Sequence, residues 1–213
     1  MSDWIWALII GFGLDLLLGD PSWLYHPVCL IGKYIGWMEK KLRRRGGNLR
    51  KSAVFLTAST VLLTMAVVAL ILMLCGLLGR IPLLIAMALL DWMGIAITSM
   101  AKEARGVEKA LGQGVAAGRT QVARIVGRDT QELSEEEIIK ATVETVSENT
   151  TDGVISPLLY AAIGGPILLW GFKAASTLDS MVGYLDEKYR DIGWSSAKLD
   201  DVLNYIPARL TAL

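Results

Sequence analysis

The chain has 213 residues, 21 Lys plus Arg balanced by 21 Asp plus Glu, and 53% hydrophobic residues, with a mean hydropathy of +0.46. A formal net charge of zero argues against a strongly charged bulk partner such as nucleic acid, and the two cysteines, Cys29 and Cys75, form neither a disulfide framework nor a zinc pattern. The apolar surplus points to the membrane class.

Residues 4–18 form a first apolar stretch interrupted by Asp15, long enough to cross a locally thinned bilayer or to enter the interface. It lacks the positive leader and small-residue cleavage site of a signal peptide and reads as a retained element. The basic segment 40–51 concentrates seven Lys or Arg before the next stretch, which places that loop in the cytoplasm. It lacks interleaved aromatics, so it reads as a topology signal and not as a nucleotide or nucleic-acid patch.

Residues 53–78 contain no charge over 26 positions. At about 1.5 Å per residue this run exceeds the roughly 30 Å hydrocarbon core, which predicts a transmembrane helix. A very short connection with Arg80 leads to a second, antiparallel span over 82–101, with Pro82 in its first turn and Asp91 near its middle. Asp91 is expected to face other helices or a wet cavity and to have a polar neighbour; Asp15 and Asp91 fit helix pairing or function.

The region 102–152 is expected to be cytoplasmic. Its first part continues the preceding helix to Leu111, where glycines 112, 114 and 118 end it. A second helix starts at Ser134, with Glu137 placed to close a capping box. Ile138, Ile139, Thr142, Val143 and Val146 form its mainly apolar face, with Glu144 and Glu148 four residues apart on another. That spacing alone suits a solvated face as well as two carboxylates aimed at one ligand. Asn149 and Asp152 extend the cluster into N-T-T-D-G, a turn signal at which the chain is expected to change direction. Such an oxygen-rich set suits magnesium better than zinc.

Residues 154–172 are apolar but broken by Gly164, Gly165 and Pro166, tolerable at membrane depth only where protein or water satisfies the freed backbone. A re-entrant hairpin would return both flanks to one side. An amphipathic helix follows, with Lys173, Thr177, Ser180 and Tyr184 on one face opposite Leu178, Met181, Val182 and Leu185. Lys173 and Asp179 beside the apolar run suit phosphate and metal. The fold class is all-α: a polytopic membrane bundle in one domain over 1–213, with amphipathic cytoplasmic helices and a broken or re-entrant segment.

Several motifs occur together: G-D-P at 19–21 with H-P-V at 26–28, V-G-R-D-T at 126–130, E-T-V-S-E-N-T-T-D-G at 144–153, T-L-D-S-M-V-G-Y at 177–184 and D-D-V-L-N-Y-I-P-A-R at 200–209. In this order they resemble the adenosylcobinamide-phosphate synthase family, CobD/CbiB, over nearly the whole chain. The resemblance implies an enzyme of the prokaryotic cytoplasmic membrane, with its site facing the cytoplasm, that uses ATP and magnesium. It would ligate adenosylcobyric acid to aminopropanol or its O-phosphate within cobalamin biosynthesis. A carboxylate resists nucleophiles, so ATP would first convert it to an acyl phosphate; this requires cations against phosphate and a base for the amine.

For such a reaction the leading magnesium candidates are Glu144, Glu148 and Asp152 with Asp179 next, and Arg128 and Lys173 are the phosphate candidates. Asp129, Thr177, Ser180 and Tyr184 join these as nucleotide-site candidates, Asn149 would orient substrate amides, and His26 would act as a base or pack in a turn. Expected partners are the corrinoid, the amine and membrane lipid, with an oligomer possible and nucleic acid not expected. The family pattern continues beyond the P-A-R-L motif, so its C-terminal part is expected to be missing here and the full activity of this chain is open. A transporter or a catalytically inert membrane sensor remain alternative classes.

Overall fold

The computed structural model describes residues 3–21 and 23–212, and every element among them is helical. The elements are α1 (Asp3–Leu18), α2 (Pro27–Arg45), α3 (Leu49–Leu77), α4 (Arg80–Gly94), α5 (Ile97–Leu111), α6 (Val115–Val122), α7 (Glu135–Thr150), a π-helical turn (Thr151–Ile155), α8 (Ser156–Val182) and α9 (Trp194–Thr211). Three stretches are long and apolar enough to cross a membrane: Leu49–Leu77, Arg80–Leu111 and Glu135–Val182.

Two apolar clusters organise these helices. The main core combines Ile35, Leu56, Leu169, Trp170, Leu178 and their neighbours from α2, α3, α4 and α8. A second, smaller core of Val107, Val122, Ile138 and Ala141 holds α5, α6 and α7 together. Helices α1 and α4 run parallel: Arg80 pairs with Asp3 at 2.7 Å at their starts, while Asp15 near the end of α1 meets Ile97 just beyond α4. Gly11 permits this approach, because a Cβ there would stand 2.8 Å from the Ala88 carbonyl.

Several sequence expectations change. Most of the basic segment 40–51 is helical, divided between the end of α2 and the start of α3, with Asn48 capping α3 through Arg50 and Lys51. Helix α2 itself was not anticipated; His26 caps it, with Pro27 in its first turn. Gly118 ends no helix. It lies inside α6, where a Cβ would come within 2.5 Å of Leu111. The capping box at Ser134 and Glu137 forms as expected, yet of the anticipated apolar face only Ile138 is fully buried, while Ile139 and Val143 are 49% and 62% exposed. Leu185 is exposed too, because the helix carrying Lys173 stops at Val182.

The span expected over 82–101 is interrupted at Ile95 and Ala96, where Ala96 has φ −137° and ψ 37°. No turn follows Asn149: α7 passes through the π turn directly into α8. The two departures share a cause. Pro157 has no N–H, so the Gly153 carbonyl four residues earlier loses its helical donor; the wider π turn accommodates this, and Ala96 N–H at the α4–α5 break donates to that carbonyl at 3.0 Å. One bond thus satisfies two groups freed by two interruptions. Asp91 is 0% exposed and faces helices as expected, but neither carboxylate oxygen has the expected polar partner among the described residues.

Within α8 the helix breaks at Gly164 (φ −142°, ψ 22°) and Gly165 (φ 64°, ψ −161°). Twenty-seven straight helical residues would separate the two ends of α8 by about 40 Å. Asp152 before it and Asp179 near its end instead line one cavity, so the segment folds back as a hairpin. Its tip reaches Trp4, whose Cβ would lie 3.5 Å from a Cβ at Gly165.

Candidate functional site

The two flanks of this hairpin, α7 and the loop before it line an open cavity of about 460 Å³. Its wall contains Arg128, Glu144, Glu148, Asn149, Asp152, Asp179, Ser180 and Tyr184. Helical periodicity puts Glu144, Glu148 and Asp152 one above another at four-residue spacing, and the continuation of α7 into the π turn keeps Asp152 on that side. Asp179 and Tyr184 arrive from the returning arm and the segment after it.

Glu144 is already engaged: Arg128 lies at 3.4 Å and Lys140 at 3.9 Å. Glu148, Asp152 and Asp179 form no ion pair among the described residues. They repel one another through Asp152. Among the described residues, no three His, Cys, Asp or Glu side chains meet as a ready-made metal centre. The set Glu144, Glu148, Asp152 and Asp179 is therefore not a preformed cage, because one member is neutralised by Arg128 and Lys140 while the others are spread around the wall.

Of the remaining candidates, Asn149, Ser180 and Tyr184 stand in the wall, whereas Lys173, Thr177 and Asp129 do not line it. Lys173 sits buried on the returning arm within electrostatic reach of Asp152 and Asp20. Thr177 turns its hydroxyl back to the Lys173 carbonyl at 2.6 Å. Ser180 donates to the Ser176 carbonyl, Tyr184 to that of Ser180, and the Asn149 amide to that of Thr145 at 2.9 Å. Asp129 is exposed and closes its own turn by accepting from Gln131 N–H at 3.0 Å. It is not brought to the cavity.

His26 lies within electrostatic reach of Asp20 and Lys173 but is poorly placed as a base. Its Nδ1 accepts from Val28 N–H at 3.2 Å as the α2 cap, and its ring also bonds the Met93 backbone. Burial holds the imidazole below its usual pKa, against the opposing pull of Asp20, so the ring is neutral at pH 7. Its role is to fix the entry of α2 beside Trp170, 6.3 Å away between ring centroids.

Sequence reasoning, which put Asp20 with His26 at a cytoplasmic entry, missed Asp200 and Asn204 on α9. Asp20 accepts a hydrogen bond from Ser99. Asn204 donates to Asp200 Oδ2 at 3.0 Å and accepts from Ser156 Oγ at 2.7 Å, while Asp200 Oδ1 is buried without a partner among the described residues. Both residues stood in the D-D-V-L-N-Y motif four apart, a spacing that could have drawn attention to them.

Burial first, then the charge of Asp152, pushes the Asp200 pKa up to about 7 from 3.8. The folded state therefore holds this proton over a range where the unfolded chain has released it. Stability from this group is fully present below pH about 4 and declines as pH rises towards about 7. Thermal unfolding in detergent should show a midpoint falling between pH 5 and 8, and Asp200→Asn should flatten that slope and raise the midpoint at pH 8. An unchanged slope would assign the pH dependence to other groups.

The fold and this site define an all-helical membrane protein with an acidic, oxygen-lined cavity at one end of its bundle. The sequence profile of the family described as CobD/Cbib protein matches residues 8–213. The chain is 49% identical over 208 residues to the cobalamin biosynthesis protein CobD of Pelobacter propionicus, covering 97% of this chain and 64% of that protein. It is 50% identical over 203 residues to the protein of the same name from Listeria monocytogenes, covering 94% and 64%, and 44% identical over 207 residues to that of Clostridium perfringens, covering 96% and 66%. The chain belongs to the CobD/Cbib protein family and spans a little under two thirds of these relatives' length. No solved structure matches it.

Proposed function

We propose that the chain serves cobalamin biosynthesis by ATP-dependent amide ligation, joining the carboxylate of adenosylcobyric acid to aminopropanol or its O-phosphate. The observation that carries this reading is the cavity between the hairpin flanks, where Glu148, Asp152 and Asp179, in no ion pair among the described residues, share with Arg128 the wall of a space of about 460 Å³. The reaction needs an anionic acid, an anionic nucleotide and a cationic amine held together. Arg128 supplies positive charge for phosphate oxygens. Lys173, within electrostatic reach of Asp152, suits the substrate carboxylate or its phosphorylated form, and the carboxylates of Glu148, Asp152 and Asp179 attract the ammonium of the amine.

Magnesium is commonly held by one or two carboxylates together with substrate phosphates, so the absence of a three-ligand cage is compatible with it. Glu148 and Asp152 would hold the ion, whose chemistry when bound is to neutralise charge on phosphate oxygens. The amine must lose a proton before it attacks, and the cluster of carboxylates around Asp152 offers acceptors for it.

Orientation follows from the basic end of α2 and α3. Arg43 donates to the Lys188 carbonyl and Arg50 pairs with Asp191 at 3.1 Å, so these positive residues share an end with the segment that follows Tyr184. The positive-inside rule then makes that end, and the cavity, cytoplasmic in a prokaryotic inner membrane. A polar cavity at one end favours an enzyme over a transporter, whose polar groups gather at the midplane. The test uses the purified protein in lipid nanodiscs with adenosylcobyric acid, aminopropanol phosphate, ATP and magnesium, with the product followed by mass spectrometry. ATP-dependent appearance of the amide is expected; neither amide nor corrinoid binding would reject the reading for this chain.

A further inference from the structure

Asp15 is 0% exposed, yet it lies outside the cavity and takes no part in the reaction described above. Its Oδ2 accepts from Ile97 N–H at 3.1 Å and from Thr98 N–H at 3.2 Å, and its backbone carbonyl accepts from Thr98 Oγ1 at 2.6 Å. These are the first amides of α5. Ala96, at the N-cap position, has no side chain able to satisfy them. Asp15 thus acts as an N-cap supplied by another helix, and its negative charge suits that helix end. Its Oδ1 has no partner among the described residues, so the amides of α5 are what hold this carboxylate.

Gly94 ends α4 locally, but it does not by itself hold open the break that Asp15 caps. Residues 95–98 read I-A-I-T and contain neither Gly nor Pro, so past Gly94 the non-helical backbone is held by contacts from other elements. One contact is Asp15; the other is the bond from Ala96 N–H to the Gly153 carbonyl. Gly153 is the residue after Asp152, and a Cβ on it would lie 3.0 Å from Met100 Sδ and 3.7 Å from Ala96 Cβ. The start of α5 is therefore the surface on which the π turn rests. The same helical turn carries Ser99, which bonds Asp20.

We propose that Asp15 is a positioning residue for the candidate site, setting the start of α5 so that Ala96 and Met100 fix the π turn that presents Asp152. The chain of contacts is Asp15 to Ile97 and Thr98, Ala96 to Gly153, and Gly153 to its neighbour Asp152. Asparagine keeps an oxygen acceptor for the two amides, whereas alanine removes it.

Only the activity arm of the test rests on the ligation reading. Asp15→Ala and Asp15→Asn are compared with the unaltered protein in nanodiscs by amide hydrogen exchange and by steady-state ligation. Asp15→Ala should accelerate exchange about tenfold or more both in peptides covering 95–98 and in peptides covering 150–156, and Asp15→Asn should restore most of the protection. In the ligation assay Asp15→Ala should lower kcat about tenfold with KM for ATP changed less than about threefold, again with recovery in Asp15→Asn. A lower thermal midpoint with unchanged exchange over 150–156 would reduce Asp15 to a structural cap and overturn the proposal. If the unaltered protein forms no amide, the ligation reading fails while the exchange comparison still decides the role of Asp15.

Discussion

Replacing Asp152 by Asn should reduce amide formation about 100-fold or more, the range typical of removing a group aimed at developing charge, without destabilising the protein. Asp152 experiences Glu148 and Asp179 as like charges, with Lys173 as the countervailing cation. Neutralising it removes repulsion, so a merely structural account expects equal or greater stability and no loss of turnover. Glu148→Gln should behave similarly. Glu144→Gln should cost less, because that carboxylate is held by Arg128 and Lys140 at the surface and exposed pairs of this kind contribute little. Turnover and thermal midpoint measured together separate these outcomes. Full activity in Asp152→Asn would remove it from the site, and equal losses in all three variants would point to bulk charge instead of specific ligation.

The helix ends, the hydrophobic runs and the glycine break were legible in sequence because their causes are local. Ser134 and Glu137 cap a helix from within one turn, and Gly164-Gly165-Pro166 contains the residues that break one. The interruption at Ala96 was not legible, since its cap comes from Asp15, 82 residues before Ile97. N-T-T-D-G misled for a related reason: its turn-forming composition is overridden when Ala96 supplies the donor that Pro157 cannot, leaving the chain helical through a π turn.

The site divides along the same line. Glu144, Glu148, Asn149 and Asp152 were visible as one dense run, and the cavity does gather them. Asp129 stood equally close in sequence to Arg128 but is consumed by its own turn. Asp200 acquires significance only when α9 packs against the hairpin and brings it near Asp152 and Asp179. The four-residue spacing to Asn204 marks Asp200 as a candidate, but only tertiary packing supplies the neighbouring charge of Asp152 and Asp179.

The hairpin carries the topological prediction. With Asp152 and Asp179 on one cavity, a cysteine introduced at Ser147 and another at Ser195 should react with a membrane-impermeant reagent from the same side of sealed vesicles. The turn depends on Gly165, whose φ of 64° and ψ of −161° lie in a region essentially confined to glycine, at a cost of about 1–3 kcal/mol for other residues. A Cβ would meet Trp4 only at ordinary contact distance, so Gly165→Ala should act through the backbone and lower the thermal midpoint without a steric clash. If the hairpin positions the site, Gly165→Ala should also reduce turnover, because Asp179 and Lys173 are carried on the arm that the turn sends back. Labelling of the two cysteines from opposite sides would instead demonstrate a full crossing, place Asp179 and Lys173 across the membrane from Glu148 and Asp152, and remove the shared cavity on which the ligation proposal stands.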